Sequence, residues 1–512
     1  MSEKNNGLSE NCGLSENHGL SKNHGLSKNH KQAGVLLHIS SLPSAGKIGD
    51  LGEQAYKMVD TLAHMQVRVW QTLPINMPHA DRSPYQCISA FAGDIALISL
   101  EKLVAQKLLQ KTELEKFYAQ DTQDKTELLK SAYARFIQSH DQSAFHQFCE
   151  DEVLWLDDFA LFLALREKFN LQGWSTWPEN DKNRDARTLA DAHRELAEEI
   201  AVSKFAQFIF FEQWHALKAY ANSKNVALFG DIPIFVAFDS AEVWAKPHLF
   251  KLDEHKNMTV VAGVPPDYFS ATGQRWGNPH YHWENMAAEH FAWWVARLAK
   301  QSTLFDLIRI DHFRGLQAAW EIPADEETAI NGTWVLSPGD ALLETIYCQL
   351  PEIHLVAEDL GIITSEVDEL RLKYALPGMK ILQFAFGGDD ANPYLPHNIQ
   401  ENSVAYTGTH DNDTTLGWYT HAEEHAKAHL HRYLNNDQPL MPQALMAMTL
   451  ESAAYLAVIP WQDVLGLGSE ARMNIPGTVE NNWCWRFTEA MVSDAHIEAF
   501  KTLVAASGRA SV

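Results

Sequence analysis

Short apolar runs punctuate this chain, and several of them stop at an acidic residue. Gly34–Ile39, Val67–Pro74, Val226–Ile234, Leu307–Phe313, His354–Glu358, Met379–Phe386, Val404–Asp411 and Ala457–Gly466 read as strands. Between the first two, Gln54–Met65 has amphipathic helical spacing, and Ala287–Lys300 reads as a helix before the fourth. A strand, a helix and a second strand with short connections predict a parallel sheet. Leu100–Asn222 is charge-rich and lacks a strand pattern. Within it, Leu156, Phe159, Leu163 and Arg166, and likewise Leu161, Leu165 and Phe169, fall at helical spacing. That stretch reads as a helical insertion between the second and third strands, packed over or beside the mouth of a parallel barrel. The chain ends soon after the eighth strand, with Asn481–Arg486 and a short helix, which leaves no room for a C-terminal β-sandwich.

Two stretches break the pattern. From Gly7 a hexapeptide repeats four times, as Gly-Leu-Ser-Glu-Asn-Cys, Gly-Leu-Ser-Glu-Asn-His and Gly-Leu-Ser-Lys-Asn-His twice. One Leu in each repeat buries too little surface to offset ordering entropy, so residues 1–31 read as a disordered tail. Its histidines (His18, His24, His30) do not stack on one helix face at that spacing. Residues 32–512 then form one unit, with the helical insertion at about 100–222. The second break, Val260–Pro279, is too rich in Gly, Pro and aromatic residues for a helix or a central strand. It reads as a long functional loop, a lid at about 260–280.

The acids at the strand ends carry the chemistry. Arg309 and Asp311 lie two apart, so in a strand they share a face. Runs ending at Asp231, Glu358 and Asp411 have the same form. A single Asp at a strand end is more often a helix N-cap, but capping does not account for the Arg309–Asp311 pair. Two carboxyl groups flanking a glycosidic bond can protonate the leaving oxygen and attack the anomeric carbon or activate water. Arg309 favours an ionised Asp311, which suits a nucleophile. Glu358 follows Val-Ala and precedes Asp359, so burial and like charge both raise its pKa, which suits a general acid. Asp411, preceded by His410, is then placed to bind sugar hydroxyls or steady an oxocarbenium-like transition state. His312 and His410 fit structural hydrogen bonding as well as substrate contact. A metal site of Asp231, Glu358 and Asp411 is the competing reading; no His-Glu-x-x-His or EF-hand loop supports it, and no phosphate-binding glycine motif occurs.

Composition narrows the setting. A formal charge of -25 argues against nucleic acid or an anionic membrane as partner. Five scattered cysteines without Cys-x-x-Cys suit free thiols in a reducing compartment. With no long apolar run and a polar N-terminus, the expectation is a cytoplasmic location. Oligomeric state leaves no signal. Aromatic content is 11%, and some tryptophans sit in Gly/Pro-rich stretches, where rings beside carboxylates suit a sugar cleft.

The motifs resemble those of the 4-alpha-glucanotransferases (amylomaltases, or disproportionating enzymes) of glycoside hydrolase family 77. They include Gly34-Val-Leu-Leu-His, Ser83-Pro-Tyr-Gln, Gly230-Asp-Ile-Pro-Ile-Phe-Val and the run from Val264 to Pro279. They continue through Arg309-Ile-Asp-His-Phe-Arg-Gly, Ala357-Glu-Asp-Leu-Gly and Tyr406-Thr-Gly-Thr-His-Asp-Asn-Asp-Thr. The resemblance implies an α/β fold, a (β/α)8 TIM barrel with inserted, largely helical subdomains. It implies a cofactor-free, retaining double displacement on maltooligosaccharides and alpha-1,4-glucans. Asp311 matches the nucleophile, Glu358 the acid/base and Asp411 the transition-state stabiliser. Tyr85, Asp231, Arg309, His312, Phe384 and His410 match substrate-site positions, and the lid brings Asp267, Tyr268 and Trp276. Transfer rather than hydrolysis rests on the resemblance alone. An alpha-glucan hydrolase on the same barrel and a non-catalytic glucan-binding protein are the alternatives. A retaining site places the Asp311 and Glu358 carboxyls roughly 5–5.5 Å apart.

Overall fold

The computed structural model describes residues 30–510 apart from 121, 140 and 267–269. The expected tail, apart from His30 and Lys31, lies outside the described residues, as do Asp267 and Tyr268. Twelve strands follow in chain order: β1 Gln32–Leu36, β2 Val69–Gln71, β3 Ala227–Pro233, β4 Val260–Val264, β5 Gln274–Pro279 and β6 Leu307–Asp311. Then come β7 Ala318–Pro323, β8 Thr333–Leu336, β9 Leu355–Ala357, β10 Gly378–Ile381, β11 Ser403–Tyr406 and β12 Leu456–Pro460. Eight of them form one parallel sheet in the order β10-β11-β12-β1-β2-β3-β6-β9. The ends of that sheet meet at β9 and β10, so it is a (β/α)8 barrel.

The seam between β9 and β10 is closed by an unusual pair of bonds. The N–H of Ala357 donates to the Pro377 carbonyl at 2.9 Å. One step further, the N–H of Met379 donates to the carboxylate of Asp359 at 2.6 Å, where a strand carbonyl would otherwise serve. Gly378 makes room for this: a Cβ there would stand 2.3 Å from Asp359 Oδ2. Arg371, 3.4 Å away, balances the charge.

Inside the barrel, Leu36, Val69, Phe229, Leu307, Val356 and Val458 form a separate apolar cluster. The Tyr406 hydroxyl is satisfied there by Gln71 at 2.9 Å. Outside, the helix Glu53–His64 buries Ala55, Met58, Val59 and Leu62, a stripe at spacings of three and four. At the bottom, the buried guanidinium of Arg509 donates to the carbonyls of Gln32 (2.8 Å), Ser452 (3.0 Å) and Ala454 (2.7 Å), tying the entries of β1 and β12 together.

Residues 100–223 contain helices and no strand among those described. They pack onto the segment after β3: Arg166 pairs with Asp239, and Trp174 Nε1 donates to the Phe238 carbonyl at 2.7 Å. The long helix Ala197–Ser223 then returns the chain to β3. No helix among the described residues is long and apolar enough to cross a membrane. Cys87, Cys149 and Cys484 carry free thiols; Cys348 does not, so the expectation of free thiols fails there.

Most strand expectations run too long. The first strand ends at Leu36, the second spans only Val69–Gln71, the fourth ends at Asp311, the sixth at Ile381, the seventh at Tyr406, and the eighth at Pro460, where the helix Trp461–Val464 begins. After Ile381 the chain turns into a 3-10 helix, Leu382–Phe384, so Phe384 sits on a turn rather than a strand. The lid stretch is also not all loop. β4 and β5 form an antiparallel hairpin, and β4 is an inner strand of a four-stranded sheet ordered β5-β4-β7-β8. Gly and Pro are tolerated there because the pairing is short and irregular, with a register shift between Val261 and Gly263.

Candidate active site

Register builds the centre. In the parallel pairing of β3 with β6, Asp231 stands opposite Arg309. Residues paired this way point to one face, and here that face is the barrel interior. Arg309 Nη1 donates to both Asp231 oxygens, at 2.8 and 2.7 Å. Its Nη2 lies 2.7 Å from Asp311 Oδ1 at the end of β6. One guanidinium therefore spans two carboxylates. Burial works against the charge on Arg309, but Asp231 and Asp311 outweigh it and hold the pKa well above the ordinary value. Asp231 is 1% exposed, and burial pushes its pKa up against the pull of Arg309.

Tyr85 closes over this pair. Its hydroxyl donates to Asp231 Oδ2 at 2.6 Å. Its ring stacks on His410, with centroids 5.1 Å apart and planes 16° from parallel. Trp483 leans on both rings, at 5.8 and 5.9 Å.

Glu358 lies just beyond β9 and is 8% exposed. Both its oxygens accept backbone N–H groups: Oε2 from His312 at 2.7 Å, and Oε1 from Leu360 at 2.9 Å. Those donors favour the ionised form, yet burial dominates. With Arg309 opposing and Asp311 adding repulsion, the pKa rises from 4.5 to about 8. A carboxyl group that keeps its proton at neutral pH can donate it.

His312 aims its N–H at Glu358 from a left-handed backbone, φ 52°. Burial pushes its imidazole down to about 4, so the ring is neutral. Trp276, from β5, meets that ring edge-on at 4.8 Å. The hairpin thus reaches the carboxyl groups through Trp276 and His312.

Asp411 lies beyond the end of β11, with its side chain 47% exposed. His410 Nε2 is 3.3 Å from Oδ1, and the Asn474 amide donates to the same oxygen at 2.7 Å. Arg472 donates to the Asp411 carbonyl at 3.1 Å. Phe384 is 38% exposed and makes an edge contact with Tyr394 at 5.7 Å. A pocket beside His410 opens between the ends of β1, β11 and β12, lined by His38, Thr409, Asp413, Arg472 and Trp485.

The structure thus links Tyr85, Asp231, Arg309, Asp311, His312, Glu358, Trp276, His410 and Asp411 through direct contacts, while Phe384 stands apart with Tyr394. Among the described residues, no three His, Cys, Asp or Glu side chains gather as metal ligands would. Asn474, Arg472 and Trp483 escaped the sequence reading. The aromatic run at 483–485 was a visible signal for Trp483; Asn474 and Arg472 have none, since a polar residue in a loop reads as solvated.

A family model described as 4-alpha-glucanotransferase matches residues 37–492. A protein named 4-alpha-glucanotransferase from Thermus thermophilus is 46% identical over 495 residues, which is 93% of this chain and 98% of that protein. One of the same name from Streptococcus pneumoniae is 43% identical, covering 91% and 95%. Among solved structures, an amylomaltase from Streptococcus agalactiae in complex with acarbose superposes with a TM-score of 0.91 at 33% identity, over 94% of this chain and all (100%) of that one.

Proposed function

The chain belongs to the 4-alpha-glucanotransferase family, and from that premise we propose how its residues divide the work of moving a glucan segment between chains. It is a glycosyl-transferring enzyme. Asp311 attacks the anomeric carbon of the donor. Glu358 gives its proton to the departing 4-oxygen, and a glycosyl-aspartate forms. Glu358, now ionised, takes the proton from the 4-hydroxyl of the incoming acceptor. That oxygen displaces Asp311, and the two inversions retain the alpha configuration. Asp411 steadies the positive charge that builds on the sugar ring. Arg309, clamped by Asp231, holds the Asp311 carboxylate in place at the end of β6. The observation that carries this reading is the contrast between the two carboxyl groups: Asp311 rests on a guanidinium, while burial keeps Glu358 protonated up to about 8.

Tyr85, His312 and His410 are assigned to the sugar at the cleavage point, and Phe384 to its flank. The hairpin of β4 and β5, with Asp267, Tyr268 and Trp276, serves as the lid within a single catalytic unit of residues 32–512. Excluding water there favours transfer over hydrolysis. Maltooligosaccharides are the natural donors and acceptors, and the reaction belongs in the cytoplasm, no cofactor being required.

Pure maltotriose tests the reading. The expected outcome is glucose plus a ladder of longer and shorter oligosaccharides at constant reducing-end count. A rising count with only shorter products marks a hydrolase instead, and an unchanged substrate removes maltotriose from the donors.

A further inference from the structure

Arg314 stands three residues past Asp311, in the 3-10 turn Phe313–Leu316. It is only 6% exposed. Among the described residues it makes no direct ion pair; Glu366 is the carboxylate whose charge acts on it, from beyond salt-bridge distance. Its Nε is buried without a partner. Two contacts hold the group. Nη1 donates to the Ile362 carbonyl, in the loop that follows Glu358. The guanidinium carbon lies 3.7 Å from the ring centroid of Trp334 on β8, a cation–π contact. Trp334 is braced in turn by Trp320, paired opposite it on β7 with rings 5.2 Å apart.

These contacts fasten three segments at one point: the turn after β6, the loop after β9 and the outer strand β8. The first two each supply one N–H donor to Glu358, from His312 and from Leu360. The turn is tight. Gly315 N donates to the His312 carbonyl at 2.9 Å, and a Cβ on Gly315 would press 2.7 Å from the Ile234 side chain. A shift of the turn therefore moves His312 with it.

We propose that Arg314 is a positioning residue, which clasps the turn after β6 to the loop after β9 so that both backbone donors stay on the carboxyl of Glu358. A planar guanidinium suits the task, because it stacks on Trp334 and still reaches a carbonyl in its own plane. The inference rests on Glu358 being the acid/base. The charged and titrating groups that act on Glu358 are Arg309 and Asp311 from β6 and Asp359 beside it, with Tyr394 facing it from the loop after β10. Arg314 itself acts through the backbone donors.

The test is the pH profile of transfer in Arg314→Met, which keeps the packing against Trp334. Loss of the clasp lowers kcat on the order of 10–100-fold, as small misplacements do. KM for maltotriose stays within about twofold. The alkaline limb moves up, because donors that favour ionised Glu358 are loosened. Arg314→Lys retains a donor for the Ile362 carbonyl and returns the limb towards wild type. Trp334→Leu, at a partly exposed site, gives the same upward shift in smaller measure and carries the test if Arg314→Met fails to fold. A limb that stays in place or moves down overturns the proposal. So does a raised KM with kcat unchanged, which would make Arg314 a substrate contact. Glu358→Gln separates the two readings. If it abolishes transfer while the Arg314 and Trp334 variants leave the limb in place, only the clasp fails. If it keeps transfer and the limb, the acid/base assignment fails, and the clasp with it.

Discussion

The backbone N–H of His312 donates to Oε2 of Glu358 at 2.7 Å. The residue after the proposed nucleophile thus binds the proposed acid, and the two strands that carry them are cross-linked at the point of reaction. Any change to one carboxyl group is felt by the other, which shapes what single substitutions should do.

Asp311→Asn removes the proposed nucleophile while leaving Asp231 to pair with Arg309. Turnover should fall by at least ~10³-fold, while the folded state survives in thermal denaturation. Undiminished transfer from maltotriose would remove Asp311 from its assigned role.

Glu358 makes stability depend on pH. Its folded-state pKa, about 8, lies above the ordinary 4.5, chiefly through burial. The folded protein therefore holds this proton more tightly than the unfolded chain does. The stability this contributes is full below about 4.5 and is lost as pH rises through about 8. Glu358→Gln cannot ionise, so it should be inactive yet more stable than wild type at pH above the limb, by on the order of a few kcal/mol. The gap should close in acid. Melting curves across that range decide it, and equal curves at high pH would contradict the buried, protonated state.

Trp276 connects the hairpin to His312 through an edge-on contact at 4.8 Å. Trp276→Ala should loosen the lid. The expected sign is a larger share of hydrolysis, read as reducing ends released per transfer event. A constant ratio with weaker binding would make Trp276 a simple sugar platform.

Gly378→Ala forces a Cβ to 2.3 Å from Asp359 Oδ2 at the seam of the barrel. Overpacking of this kind costs about 1–3 kcal/mol. A lowered melting temperature with reduced kcat is expected, whereas a neutral result would mean that the seam tolerates opening.

Much of this was legible in the chain because the barrel strands announce themselves as local apolar runs, and the acids sit at or just past their ends. Asp311 and Glu358 needed only that rule, whereas Asp231 lies two residues inside the end of β3, opposite Arg309. The four-stranded outer sheet was not legible. β7 and β8 pair over a turn that joins them to β6, and β4 pairs with β7 from more than fifty residues away. Such pairing depends on partners rather than on local pattern, so Gly and Pro in β4 and β5 read as loop. Strand lengths were overdrawn for a related reason. Met379–Phe386 is mostly apolar, but beyond Ile381 its Leu382, Ala385 and Phe386 are buried in another cluster, with Leu395 and Leu430, so apolarity continued after the strand had stopped. Asn474 had no signature because its role exists only once Asp411 is beside it.

Asp359, which fastens β9 to β10, directly follows Glu358 in the chain. The closure of the ring and the proposed acid are therefore carried by one dipeptide. A chain caught before closure has Glu358 on a loose segment, open to water, where an ordinary carboxyl is deprotonated at neutral pH and useless as a proton donor.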